Sequence, residues 1–125
     1  MRIWTVANQK GGVGKTTTTI ALGGLMAERG QRTLLIDLDP HASLTAYFGT
    51  SPEGDHRSVY DAFVEHKQLT KESLLSLCLP ADQKNLFYMP GHVAMATIEK
   101  HLATAGGQGL IIQQLLSLVT DEFAW

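Results

Sequence analysis

The run Lys10-Gly11-Gly12-Val13-Gly14-Lys15-Thr16-Thr17 constrains this chain more than any other stretch. It follows the apolar segment Ile3-Trp4-Thr5-Val6-Ala7 and leads into a helical pattern from Thr17 to Arg29. A strand, a glycine-rich turn and a helix N-terminus in that order form a cradle for phosphate. The turn aims backbone N–H groups inward, and the helix dipole adds partial positive charge. Lys15 is placed to reach β- and γ-phosphate oxygens as a point charge, and the Thr16 hydroxyl to reach a magnesium ion. Residues 11–16 together predict a nucleoside-triphosphate site. The general phosphate-loop pattern asks for a glycine where Gln9 stands; a lysine and two glycines follow instead.

Hydrophobic patterning places this loop in an α/β context. Residues 2–7 are nearly continuous apolar and predict a buried parallel strand. Gly30 stops the first helix, and Thr33–Leu38 predicts the next strand, joined by a right-handed parallel crossover. Asp37 and Asp39 lie two apart at that strand's C-terminal end, where ligands bind in open α/β sheets. Downstream come a short helix from Ser43 to Phe48 and a loop over residues 50–57. The capping box Ser58-Val59-Tyr60-Asp61 opens a helix with Tyr60, Phe63 and Val64 facing inward. A helix from Leu74 to Leu79, closed by Pro80, precedes a strand over Leu86–Met89. Two helices follow, about residues 92–104 and 108–120, separated by Gly106-Gly107.

Composition narrows the function classes. The 125 residues are 44% apolar and 18% charged with a net charge of −2, which fits one ordinary soluble domain. Basic residues are scattered, so the chain is not an electrostatic nucleic-acid binder. Cys78 stands alone, which excludes an internal disulfide and fits a reducing cytosol. No signal peptide or membrane span is visible, and the expected location is cytoplasmic. The five histidines show no metal-ligand spacing. Trp4 and Phe87 read as core residues, Thr18 and Thr19 as helix residues bonded back to the preceding turn, and His41 as a solvated turn histidine. The broad apolar face carrying Ile111, Leu115 and Leu118 reads as a core helix.

The run Ala7-Asn8-Gln9-Lys10-Gly11-Gly12-Val13-Gly14-Lys15-Thr16-Thr17, with Leu34-Leu35-Ile36-Asp37-Leu38-Asp39-Pro40 after it, resembles the ParA/MinD family of ATPases. The family usually has Gln where this chain has His41. The resemblance implies a three-layer αβα fold with a mostly parallel sheet, a P-loop NTPase with the deviant Walker A motif. It implies ATP and Mg²⁺ as cofactors, held by Gly11, Gly12, Val13, Gly14, Lys15, Thr16 and Thr17, with Thr17 on the α-phosphate. Lys10 is the family's signature lysine, reaching across a dimer interface to the partner's nucleotide. By the same resemblance Asp39 orients the attacking water, and Asp37 supports the magnesium ion held by Thr16 through its waters. Lys10, Lys15 and Asp39 are thus the expected catalytic residues.

Residues 121–125 look like the segment leading into the family's Walker B strand. The chain is therefore expected to be the N-terminal part, residues 1–125, of a single ATPase domain whose C-terminal half is missing here. Without that neighbour, the strand over 2–7 is expected to be an edge, covered by self-association, chain exchange or rearrangement of the sheet. The leading functional expectation is an ATP-driven homodimer that partitions or positions DNA or a cellular assembly. DNA, or a membrane or polar adaptor, would be engaged through regions beyond residue 125, and an activating partner protein is expected as well. The competing expectations are an ATP-dependent amide ligase, as in cobyrinic acid a,c-diamide synthase or dethiobiotin synthetase, and a nucleotide-gated scaffold without turnover.

Overall fold

The computed structural model describes residues 1–8, 10–12, 14–105 and 107–125. Its sheet has three strands, β1 (Thr33–Ile36), β2 (Leu79–Pro80) and β3 (Leu86–Met89), in the order β1-β3-β2. β1 pairs parallel to β3 with Leu35 opposite Tyr88, and β2 pairs antiparallel to β3 with Leu79 opposite Tyr88. The helices are α1 (Lys15–Glu28), α2 (Ser43–Tyr47), α3 (Val59–Val64), α4 (Lys71–Ser76), α5 (Met95–Ala105) and α6 (Gln108–Ser117).

Alternation along β1 sends its side chains to two cores, because successive strand residues face opposite ways. Leu35 joins Ala27, Leu44, Leu86 and Tyr88 under α1 and α2. Leu34 and Ile36 pack on the other side, against the larger core of Phe63, Leu74, Met89, Leu115, Val119 and Phe123. Helices thus cover both faces of the sheet, giving the three expected layers. Gly23 explains how closely α1 approaches: a Cβ there would stand 2.6 Å from Leu35 Cδ2. Gly30, at φ 78°, ends α1 in the left-handed conformation that a side chain resists.

Four expectations are corrected. Residues 2–7 form no strand. The β1 edge they would approach is taken by the C-terminal segment: Leu34 N–H donates to Trp125 C=O at 3.1 Å, and Ala124 N–H donates to Arg32 C=O at 2.8 Å. The N-terminal segment then reaches the sheet through Arg2 N–H on Ala124 C=O at 2.8 Å. Trp4 is 59% exposed, not a core residue, and its ring meets Trp125 edge-on at 4.6 Å. The helix expected over 74–79 starts earlier, because Thr70 caps it by accepting from Ser73 N–H, and it ends at Ser76. Leu79 and Pro80 then turn into β2, an edge where proline's missing N–H does no harm. Val64 lies 62% exposed; Val59, Ala62 and Phe63 are the inward residues of α3, behind the predicted Ser58–Asp61 capping box, which is present. The expected helical break at Gly106-Gly107 lies partly outside the described residues, since Gly106 is not among them.

Candidate functional site

The glycine-rich loop lies close enough to the residues after β1 for the Lys15 charge to act on Asp39. Gly12 and Gly14 have φ of 70° and 89°, conformations that only glycine adopts without strain. The Lys15 ammonium donates to Asn8 C=O at 2.7 Å and to Lys10 C=O at 3.4 Å, so the lysine lies across its own loop. Lys10 is exposed and its backbone N–H donates to Asn8 Oδ1 at 2.9 Å. Val13, an expected cradle residue, lies outside the described residues. Thr16 and Thr17 follow in the first turn of α1, and Thr19 bonds back to Lys15 C=O as expected.

This loop fits a phosphate group. Gly14 caps α1 without a side-chain acceptor, and no acidic residue stands in the first turn. No acidic side chain of this helix caps the first-turn N–H groups, and the helix dipole favours an external anion. A Cβ built at Gly11 or Gly12 would meet nothing within 4 Å, so the loop's surface is open to a ligand. N–H donors, an ammonium and two hydroxyls make a donor set suited to polyphosphate oxygens and a hard cation.

The acidic pair divides its labour. Asp37 is buried, and both of its carboxylate oxygens are hydrogen-bonded: Oδ2 accepts Thr45 N–H at 2.9 Å and Thr45 Oγ1–H at 2.6 Å, while Oδ1 accepts Asp39 N–H at 3.2 Å. Thr45 Oγ1 in turn accepts Gly91 N–H at 2.7 Å. Asp37 thus ties the end of β1, α2 and the loop after β3 into one buried network. Asp39 is the more exposed of the two. Its Oδ1 accepts His41 N–H at 2.9 Å and faces His41 Nδ1 at 3.1 Å. Burial pushes the Asp39 pKa up, but the His41 hydrogen bonds and the charges of His41 and Lys15 outweigh it and hold the carboxyl below its ordinary value. A carboxylate kept ionised beside a lysine-bearing phosphate loop can accept a proton or orient a water.

Sequence reasoning missed Thr45 and Gly91, and it read His41 as merely solvated. The signal for Thr45 was weak, a threonine inside a five-residue helix. Gly91 follows the expected strand over 86–89, and a Cβ there would stand 2.9 Å from Asp37 O. Among the described residues no three His, Cys, Asp or Glu side chains gather as metal ligands, and no helix is long and apolar enough to cross a membrane.

A parallel strand pair covered by helices on both faces, with a glycine-rich loop opening a helix beside an acidic strand end, defines a P-loop nucleotide-binding protein. The chain belongs to the ParA/MinD family of ATPases: the sequence pattern of a family described as an AAA domain matches residues 1–125. It is 32% identical over 119 residues to the maintenance of carboxysome distribution protein A of Synechococcus elongatus, covering 95% of this chain and 45% of that protein. It is 42% identical over 94 residues to the chromosome-partitioning ATPase Soj of Thermus thermophilus, covering 75% of this chain and 34% of that one. In fold it is similar to cobyrinic acid a,c-diamide synthase from Mycobacterium smegmatis with bound ADP and magnesium, with a TM-score of 0.79 and 30% identity, covering 94% of this chain and 45% of that one. The chain spans less than half the length of each of these proteins.

Proposed function

We propose that the complete protein is an ATP-dependent dimerisation switch of the ParA/MinD type, which binds and hydrolyses ATP in the cytoplasm to partition or position DNA or a cellular assembly. The observation that carries this reading is the juxtaposition of the Lys15 loop with Asp39, held ionised at the end of β1. Residues 1–125 are on this reading the N-terminal part of one ATPase domain, in keeping with the share of its relatives that the chain spans.

In this reading the N–H groups of residues 11–16 and the Lys15 ammonium bind the phosphates, and Thr17 contacts the α-phosphate. Thr16 lends its hydroxyl to the magnesium ion. Asp37 acts on the ion only through water, since its own oxygens are committed to Thr45 and Asp39. When bound, ATP–Mg²⁺ supplies an activated γ-phosphoryl group whose charge the ion spreads. Asp39 orients the attacking water, and Lys10 of a second copy neutralises charge at the transferring group. An activating partner protein and a DNA or membrane surface complete the cycle. The names of the relatives, carboxysome distribution and chromosome partitioning, support this class. The amide-ligase reading is favoured by one observation, the fold similarity to cobyrinic acid a,c-diamide synthase. Phosphate release from the full-length protein with DNA, lipid vesicles or a carboxylate substrate separates the two.

Lys15→Ala is expected to abolish nucleotide binding in calorimetry, and unchanged affinity would overturn the assignment. Asp39→Ala is expected to keep ATP and accumulate as a dimer by light scattering, whereas Lys10→Ala binds ATP without dimerising. Wild-type turnover in Asp39→Ala removes that residue from the reaction.

A further inference from the structure

The segment between Asp39 and Ala42 is a tight turn built in an unusual way. Ala42 N–H donates to Asp39 C=O at 2.9 Å, closing the turn, and Pro40 fixes its second residue. Ala42 is fully buried and sits at φ 51°, a left-handed conformation that costs an alanine energy and persists only where packing imposes it. The turn's exit is therefore anchored. The His41 side chain nevertheless stands 88% exposed. It buries almost nothing, and its pairing with a half-exposed carboxylate adds little to folding.

Its contact is nonetheless specific. The backbone N–H of His41 and its ring Nδ1 both address one atom, Asp39 Oδ1, at 2.9 and 3.1 Å. Among the described residues Oδ2 has no hydrogen-bond partner. An aspartate's terminal torsion is broad, so one backbone donor leaves the carboxylate plane free to rotate. A second donor on the same oxygen, set at an angle by the imidazole, fixes that plane. The ring must carry its proton on Nδ1 to do so.

We propose that His41 is a positioning residue for hydrolysis: its Nδ1–H and its backbone N–H together clamp Asp39 Oδ1 and leave Oδ2 to orient the attacking water. The inference rests on the reading of Asp39 as the water-orienting group. It predicts an effect on turnover rather than on binding, because among the described residues His41 hydrogen-bonds to Asp39 and to neither Lys15 nor the phosphate loop. Loss of orientation alone lowers rates by about ten- to a hundredfold.

The experiment uses the full-length protein and measures steady-state phosphate release against ATP concentration, with nucleotide affinity by calorimetry. His41→Ala is expected to lower kcat about tenfold with KM and affinity unchanged. His41→Asn is expected to recover most of the rate, because its amide nitrogen lies where Nδ1 lies. Adding His41→Ala to Asp39→Ala is expected to have no further effect, as residues acting in series are not additive. A wild-type kcat in His41→Ala, or His41→Asn as slow as His41→Ala, overturns the clamp. A wild-type rate in Asp39→Ala overturns the reading of Asp39 itself, which keeps the two failures apart.

Discussion

Gly91 and Gly24 each lie against a neighbour, and the neighbour decides what a methyl group would do. At Gly24 an added Cβ meets the far end of Gln83, Oε1 at 3.2 Å, which need shift only a few tenths of an ångström while its amide keeps its bond to Gly24 C=O. At Gly91 it meets the Asp37 backbone oxygen at 2.9 Å and the carboxyl carbon at 3.1 Å, which cannot shift in this way. Gly91→Ala is therefore expected to cost about 1–3 kcal/mol in urea denaturation while Gly24→Ala is near neutral, its better helix propensity offsetting the contact. Cys78 yields a second prediction at this scale. Burial pushes its thiol up to about 11, whereas an unfolded cysteine ionises near about 8.5. The raised value means that its contribution is intact below the unfolded pKa and lost as pH rises toward 11. The stability of wild type is thus expected to fall from pH ~8.5 upward more steeply than that of Cys78→Ala. Native protein should also resist alkylation at neutral pH.

Helix α2 has five residues, far below the length at which a helix holds itself together in water. It exists because Leu44 fills the core under α1 and because Thr45 gives both its N–H and its hydroxyl to Asp37. Thr45→Val keeps the shape and removes the hydroxyl, leaving Asp37 Oδ2 one donor short and Gly91 N–H without its acceptor. Leaving such buried groups unsatisfied costs about 1–3 kcal/mol, read as a lower urea midpoint at unchanged m. Thr45→Ser should lose much less; a Thr45→Val variant as stable as wild type would mean that the hydroxyl contributes little. Element ends were legible where a side chain caps them: Ser58 and Asp61 announced α3. They were not where a tertiary partner sets them. Leu79 read as the last residue of a helix and Pro80 as its stop, and pairing with Tyr88 and Phe87 made them a strand.

Across the whole molecule, the C-terminal segment locks the sheet edge to the larger core. Phe123 is buried, meets Phe87 edge-on at 5.7 Å, and lies under the Arg32 guanidinium at 5.5 Å. Arg32 Nε also donates to Glu122 C=O at 3.0 Å, and Lys71 of α4 pairs with Asp121 and Glu122. Phe123→Ala is expected to lose about 3–5 kcal/mol, a large share of a domain's stability of about 5–15 kcal/mol, seen as a lower denaturation midpoint. A loss below about 1 kcal/mol, the usual size of a surface effect, would mean that this segment is not part of the core.

By itself the sequence determined the phosphate loop, the alternation of strand and helix behind it, and the acidic pair at a strand end. Each is a local property, set by backbone freedom at glycine, by hydrophobic period and by residue type at fixed spacing. It could not determine that the apolar run 2–7 stays outside the sheet, because a strand needs an edge and the edge of β1 is claimed from the far end of the chain. Nor could it separate the roles of Asp37 and Asp39, two like residues two positions apart. Only folding brought Thr45 and Gly91 around the first and left the second to its neighbour His41, and a hydrogen bond such as the one from Gly91 to Thr45, far apart in the chain, leaves no period in the sequence to read.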